Sequence, residues 1–344
     1  MAELRNIYDK ATLRKKLAQE SFKRTTLSFY RYVLIENPSL MRVQLYEQMQ
    51  SLNILGRVYL AAEGINAQIS VPTDQLPALR KILDESTHFN GVPFKYAVEE
   101  PADSFLKLIV RIRAKIVADG LKEGEVDLAN TGKHLTAAEW NKAMEDSNTI
   151  VVDMRNHYES EVGHFANALT PDVDTFRQSL PVVKELLAEK HNKKILLYCT
   201  GGIRCEKASA YFKHHGYEDV NQLEGGIIDY VRQVQELGLE NKFIGKNFVF
   251  DDRLGERVTT EIIAKCHQCG NPCDTHTNCA NDDCHLLFIQ CTDCKEKMNG
   301  CCTENCKEIV SLPIEKQRAL RKGKVKNDAH AVFKSRLRPK LKLE

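Results

Sequence analysis

The stretch Ile195-Leu196-Leu197-Tyr198-Cys199-Thr200-Gly201-Gly202-Ile203-Arg204-Cys205 reads as a buried strand that ends on a cysteine, turns at two glycines and opens a helix. A helix starting at such a turn aims its free N–H groups at the side chain held there, which is Cys199. Arg204 adds a fixed positive charge, so thiolate is favoured over thiol near neutral pH. Cys199 is therefore the candidate nucleophile and Arg204 its electrostatic partner, while Thr200, Gly201, Gly202 and Ile203 supply N–H groups for an oxyanion-type site. The competing reading is a small thiol packed in the core, the commoner fate of free cysteines. Two glycines and an arginine so close to Cys199 argue against it. Cys205 offers either a thiol that resolves an oxidised Cys199 or a side chain pointing into the helix core.

Around this stretch the chain alternates helix and strand. Thr136 caps a helix running to Met144, a strand follows at 149–154, a helix at 175–189, and Leu223-Glu224-Gly225-Gly226 makes a short strand and turn into a last helix. Parallel strands alternating with helices place reactive groups at strand C-terminal ends, where both Asp153 and Cys199 fall. A catalytic α/β domain over 136–245 is expected.

The first hundred residues have another rhythm. Strand patterns at 27–35, 56–62, 65–71 and 93–98 alternate with helical patterns at 38–52 and 73–83, the first helix capped by Asn37 with Pro38 at its first position. The order β-α-β-β-α-β is the ferredoxin-like arrangement, expected over 1–118. From Phe105 to Ile116 a period of two sets Lys107, Arg111, Arg113 and Lys115 on one face, either a solvated edge or a phosphate contact. The polar, Gly-containing stretch 119–135 reads as a linker.

No stretch of the 344 residues approaches the roughly 18 consecutive apolar positions of a membrane helix, and the N-terminus lacks a signal-peptide core, so a cytoplasmic protein with no membrane partner is expected. All twelve cysteines follow residue 198, and ten crowd between Cys266 and Cys306. In a reducing compartment such crowding points to metal before disulfides. Cys266/Cys269 and Cys291/Cys294 form two C-x-x-C knuckles at near zinc-ribbon spacing. Cys279, Cys284, Cys301 or Cys302, and Cys306 offer a second four-sulfur set in this Cys-rich zinc-binding region, 246–310, with Cys273, His267, His276 and His285 as substitutes and an iron–sulfur cluster as the alternative metal group. The net charge of +2 conceals an asymmetry: residues 311–344 hold eleven Lys or Arg against three Asp or Glu, a net of +8, which leaves −6 for the rest. This basic tail, interleaved with Leu320, Val325, Val332, Phe333 and Leu337, is either solvated or faces a polyanion such as nucleic acid.

Phosphatase loops place five residues between cysteine and arginine to wrap a phosphate; here there are four, a ring better sized for a single sulfur. With Asp153-Met154-Arg155, Gly163-His164-Phe165 and Leu223-Glu224-Gly225-Gly226, the loop resembles the rhodanese family, in which the loop cysteine carries persulfide sulfur and Asp153 and Arg155 would support it. The string Cys199 to Ser209, Glu63-Gly64-Ile65-Asn66 and the opening Cys266-His267-Gln268-Cys269 resemble more closely the bacterial rhodanese-domain tRNA uridine hydroxylase family, of the UPF0176 type. That resemblance implies 5-hydroxylation of the wobble uridine of tRNA with molecular oxygen as co-substrate and the residue at Cys199 essential. Chemically, thiolate addition at C6 of uracil makes C5 nucleophilic, with Arg204 steadying the thiolate or the enolate oxygen. The rival readings are a sulfurtransferase passing persulfide sulfur to a small acceptor or to tRNA, and a non-catalytic scaffold.

Overall fold

The computed structural model describes residues 8–99, 104–322 and 331–333. A first helix, α1 (Lys10–Ala18), is capped by the Asp9 carboxylate. Then come β1 (Arg24–Tyr32), α2 (Pro38–Ser51), β2 (Leu55–Ala61), β3 (Gly64–Pro72), α3 (Leu76–Asp84), β4 (Lys95–Tyr96) and β5 (Leu108–Ile112). The first four strands pair antiparallel in the order β4-β1-β3-β2, and β5 adds parallel to β2. The ferredoxin-like expectation is met, with one strand more.

Alternation along the strands gives this sheet two faces. Leu27, Phe29, Ile65, Ala67 and Ile69 pack with Leu45 and Met49 of α2 and Leu79 and Leu83 of α3. The opposite face carries Thr26, Ser28 and Tyr30 on β1 and Asn66 and Gln68 on β3, all lining a cavity against the second unit.

The stretch read as a linker is packed. Val117, Leu121 and Val126 join the core of the second unit, and Asp119 is 1% exposed because its carboxylate meets the ammonium groups of Lys115 and Lys207. Within that stretch β6 (Lys133–Leu135) already begins the second sheet.

The second unit continues with α4 (Ala137–Met144), β7 (Thr149–Asp153), α5 (His157–Ser160), β8 (Gly163–Phe165), α6 (Phe176–Leu186), β9 (Lys194–Tyr198), α7 (Ile203–His214), β10 (Val220–Leu223), α8 (Gly226–Leu237), β11 (Phe243–Asn247) and β12 (Glu256–Arg257). Thr136 caps α4 in a reciprocal box with Glu139. The main sheet, β6-β10-β9-β7, is parallel throughout. Its central strand is apolar at consecutive positions because both faces are covered. Ile195, Leu197 and Cys199 pack with α6 and α7, whereas Leu196 and Tyr198 pack with α4 and α8.

Beyond it lie β13 (His276–Asn278), β14 (Leu287–Ile289), α9 (Thr292–Lys297), α10 (Glu304–Val310) and α11 (Ile314–Arg321). Cys266, Leu287 and Ile289 share a core with Tyr158, Val162 and Phe248 of the second unit. No described helix is long and apolar enough to cross a membrane. Of the basic tail, Val325 and Leu337 lie outside the described residues.

Candidate active site

The strand-turn-helix forms as its residues dictate. β9 ends at Tyr198, α7 starts at Ile203, and Gly202 between them has φ 93°, a left-handed conformation natural to glycine. A Cβ there would also lie 2.9 Å from the Tyr30 hydroxyl of the first unit. The loop rests on the next turn: Ile227 and Ile228 donate N–H to the carbonyls of Cys199 and Thr200 at 3.0 and 3.2 Å, and a Cβ on Gly226 would strike both.

Cys199 is fully buried among the loop amides. The Gly202 N–H donates to Sγ at 3.1 Å. Burial alone would push this thiol up; the Cys205 thiol donating to it, the Arg204 charge and the Arg204 and Gly202 amides reverse that, and its pKa falls to about 5. Cys205 takes the opposite course, pushed well up by burial and by the Cys199 sulfur. It therefore both points into the core and touches the Cys199 sulfur.

Arg204 is held by Glu159, which the sequence reading did not single out. Nη1 donates to Oε1 at 2.6 Å and Nη2 to Oε2 at 2.8 Å, and Thr200 Oγ1 lies 3.3 Å from Nη2. Glu159 is fully buried on α5 and also accepts the Asn156 N–H. Asp153 and Arg155 make a second buried pair, joined at 2.6 Å, with Tyr198 Oη donating to Asp153 at 2.7 Å. Neither residue lines the cavity; they tie the ends of β7 and β9 beneath the loop.

Thr200, Gly201, Ile203 and Arg204 line, with Cys199, a cavity of ≈610 Å³ whose far wall is the polar face of β1 and β3. That size suits a nucleoside-scale ligand, pockets of roughly 300–1,000 Å³ being typical. The joint is polar. Tyr30 Oη donates to Glu206 at 2.9 Å, Tyr32 Oη to the Ile203 carbonyl at 3.2 Å, and Lys207 Nζ to Glu63 at 2.7 Å. Glu63 also accepts the Ile116 N–H at 2.9 Å, so the Glu63-Gly64-Ile65-Asn66 motif is a junction between units. Phe333 stacks on Tyr158 at 4.8 Å and lines the same cavity.

Two expectations are corrected. The cationic face loses Lys115, drawn inward to Asp119 at 2.6 Å, and the strand stops at Ile112. Lys107, Arg111 and Arg113 remain exposed at the edge distal to β4 and do not line the cavity. In the Cys-rich region the sulfurs gather as Cys266, Cys269, Cys291 and Cys294, and as Cys279, Cys284, Cys302 and Cys306. Cys302, not Cys301, completes the second set: the Cys301 thiol turns to the Asn299 carbonyl.

A parallel α/β unit with a thiolate loop, closed by an acylphosphatase-like sheet, defines a rhodanese-type cysteine protein whose loop cavity has a second wall. Residues 24–116 match the UPF0176 acylphosphatase-like domain, 136–233 the rhodanese-like domain and 244–307 the rhodanese C-terminal family. A tRNA uridine(34) hydroxylase of Leptospira interrogans is 58% identical over 98% of this chain and 92% of its own. One from Enterobacter sp. is 50% identical over 100% of this chain and 98% of its own. The chain belongs to the tRNA uridine(34) hydroxylase family.

Proposed function

We propose that the protein is a cytoplasmic oxidoreductase that hydroxylates C5 of the wobble uridine of tRNA, with molecular oxygen as co-substrate and Cys199 as nucleophile. The observation that carries this reading is the depressed thiolate of Cys199 at the floor of a nucleoside-sized cavity shared by two units, in a chain nearly collinear with relatives named for that reaction. An enzyme acting on a base must take it out of the stack, and a walled cavity gives the extruded base a seat. Thiolate addition at C6 would raise electron density at C5, the position oxidised. A sulfurtransferase serving small acceptors has no use for the polar sheet face above the loop.

The Cys-rich region supports structural zinc. Within each four-cysteine set all sulfurs lie within 4.8 Å of one another, and a tetrahedral zinc with Zn–S near 2.3 Å requires about 3.8 Å between sulfurs. Cys269–Cys291 at 3.6 Å and Cys302–Cys306 at 3.8 Å fit a single ion. A multi-iron cluster needs its thiolates farther apart. Zinc would tie the knuckles together in a segment with little apolar core of its own.

The test is nucleoside mass spectrometry of tRNA from cells lacking the protein, complemented by wild type or Cys199→Ser. 5-Hydroxyuridine should return only with wild type. Its full return with Cys199→Ser would remove the loop from the reaction.

A further inference from the structure

Lys95 is 4% exposed, yet no carboxylate among the described residues pairs with its ammonium group. Asp229, the Cys199 sulfur and Glu206 act on it only at longer range, and Nζ rests 4.1 Å from the Tyr30 ring centroid. Burial pulls its pKa below the ordinary lysine value. An unpaired buried cation is costly and calls for a partner that arrives with the ligand.

Its position says what that partner is. Lys95 stands opposite Ser28 on β1, and Ser28 stands opposite Gln68 on β3. Ammonium, hydroxyl and amide thus form one row across three strands, on the face that lines the cavity over Cys199. Among the described residues none of the three has a side-chain hydrogen-bond partner. The Lys95 chain also passes 4.0 Å from where a Cβ on Gly201 would sit, directly beside the nucleophile loop. Arg204, by contrast, has both terminal nitrogens engaged by Glu159.

We propose that Lys95, rather than Arg204, binds the uracil O4 of the target nucleotide and stabilises the negative charge that forms there when Cys199 adds to C6, with the Gln68 amide on the adjacent N3–H. This rests on the reading of a tRNA uridine substrate. In the step, a sulfur lone pair forms the S–C6 bond, the C5=C6 π pair moves to C4–C5, and the C4=O4 π pair moves onto O4, which Lys95 Nζ–H receives. C5 can then take a proton from water; loss of a C5 proton to water and departure of the thiolate restore uracil. No oxidant enters, so the addition can be observed by itself as exchange of the C5 hydrogen with solvent.

The experiment incubates the full-length protein with an unmodified tRNA transcript bearing a wobble uridine, in deuterium oxide without oxygen, and measures deuterium in the wobble nucleoside by mass spectrometry. Wild type should exchange the C5 hydrogen and Cys199→Ser should not. Lys95→Met should slow exchange about 10²-fold, the usual loss for one oxyanion donor, and Lys95→Arg should recover part of it. Gln68→Met should also slow exchange. Iodoacetamide alkylation of Cys199 within a few-fold of wild type in both Met variants would show the loop and fold intact. Undiminished exchange in Lys95→Met, or no exchange by a wild type that hydroxylates in cells, overturns the proposal. A wild type that forms no 5-hydroxyuridine in cells overturns the functional reading itself, which separates the two failures.

Discussion

Arg204 and Glu159 face each other through two hydrogen bonds, 2.6 and 2.8 Å, in a buried setting. This geometry fixes the guanidinium as part of the loop wall, so its charge acts on Cys199 without moving. Breaking a buried pair by removing one partner typically costs about 3–5 kcal/mol, whereas replacing both by apolar groups is far milder. Glu159→Ala should therefore lower unfolding free energy in urea by about that amount, and Glu159→Leu with Arg204→Met should regain most of it while remaining inactive. Equal stability of Glu159→Ala and wild type would show the pair to be solvated.

The thiolate carries a pH signature. Because the folded pKa of Cys199, about 5, lies below the ordinary 9.0, the fold favours the ionised form. Stability from this group is complete above the ordinary value and is lost as pH falls through the folded one. Alkylation of Cys199 by iodoacetamide should be flat across neutral pH and fall off only in acid. Cys205→Ala removes a hydrogen bond to the sulfur and should shift the profile upward; an unmoved profile would exclude the Cys205 contact.

Metal content separates neighbouring cysteines. Purified protein should hold two zinc ions per chain, one for each four-sulfur set. Cys302→Ser should lose one and Cys301→Ser neither, by elemental analysis. Loss of zinc on changing Cys301 would reverse the assignment of the second set.

Salt dependence tests the basic surfaces. If Arg111 and Arg113 touch tRNA phosphates, Arg111→Glu with Arg113→Glu should lower the slope of log affinity against log salt by roughly 0.7–0.9 for each phosphate no longer neutralised. Removing residues 311–344 should flatten it further. Lys115→Met should leave the slope unchanged and instead reduce stability, since its ammonium is committed to Asp119 and the Leu121 carbonyl. Unmoved slopes in the first two variants would make those cations plain solvated surface.

The cysteine loop was legible because all its determinants are local: an apolar strand, two glycines and an arginine close to Cys199 in sequence. The split β-α-β-β-α-β order was equally readable from periodicity and the Asn37 cap, as was the helix of the second unit capped by Thr136. Glu159, Lys95 and Tyr30 were not, because each meets the loop across a long sequence separation and carries no motif of its own. Lys115 misled for a related reason: period two assigns a face, but Asp119 four residues on bends the side chain inward. Between Cys301 and Cys302 spacing is silent, and only the turn at Asn299 decides which sulfur faces its fellows.

The Cys-rich module touches the short helix α5, which carries Glu159, from outside. His267, beside Cys266, bonds Glu161 at 2.7 Å, and the core around Cys266 and Cys294 includes Tyr158, one residue from Glu159. A lesion at these thiols would therefore be felt as slack in α5 and a misdirected Arg204. The Cys-rich module thus buttresses the guanidinium from behind: its integrity is read out at the loop through α5, although none of its cysteines lines the cavity.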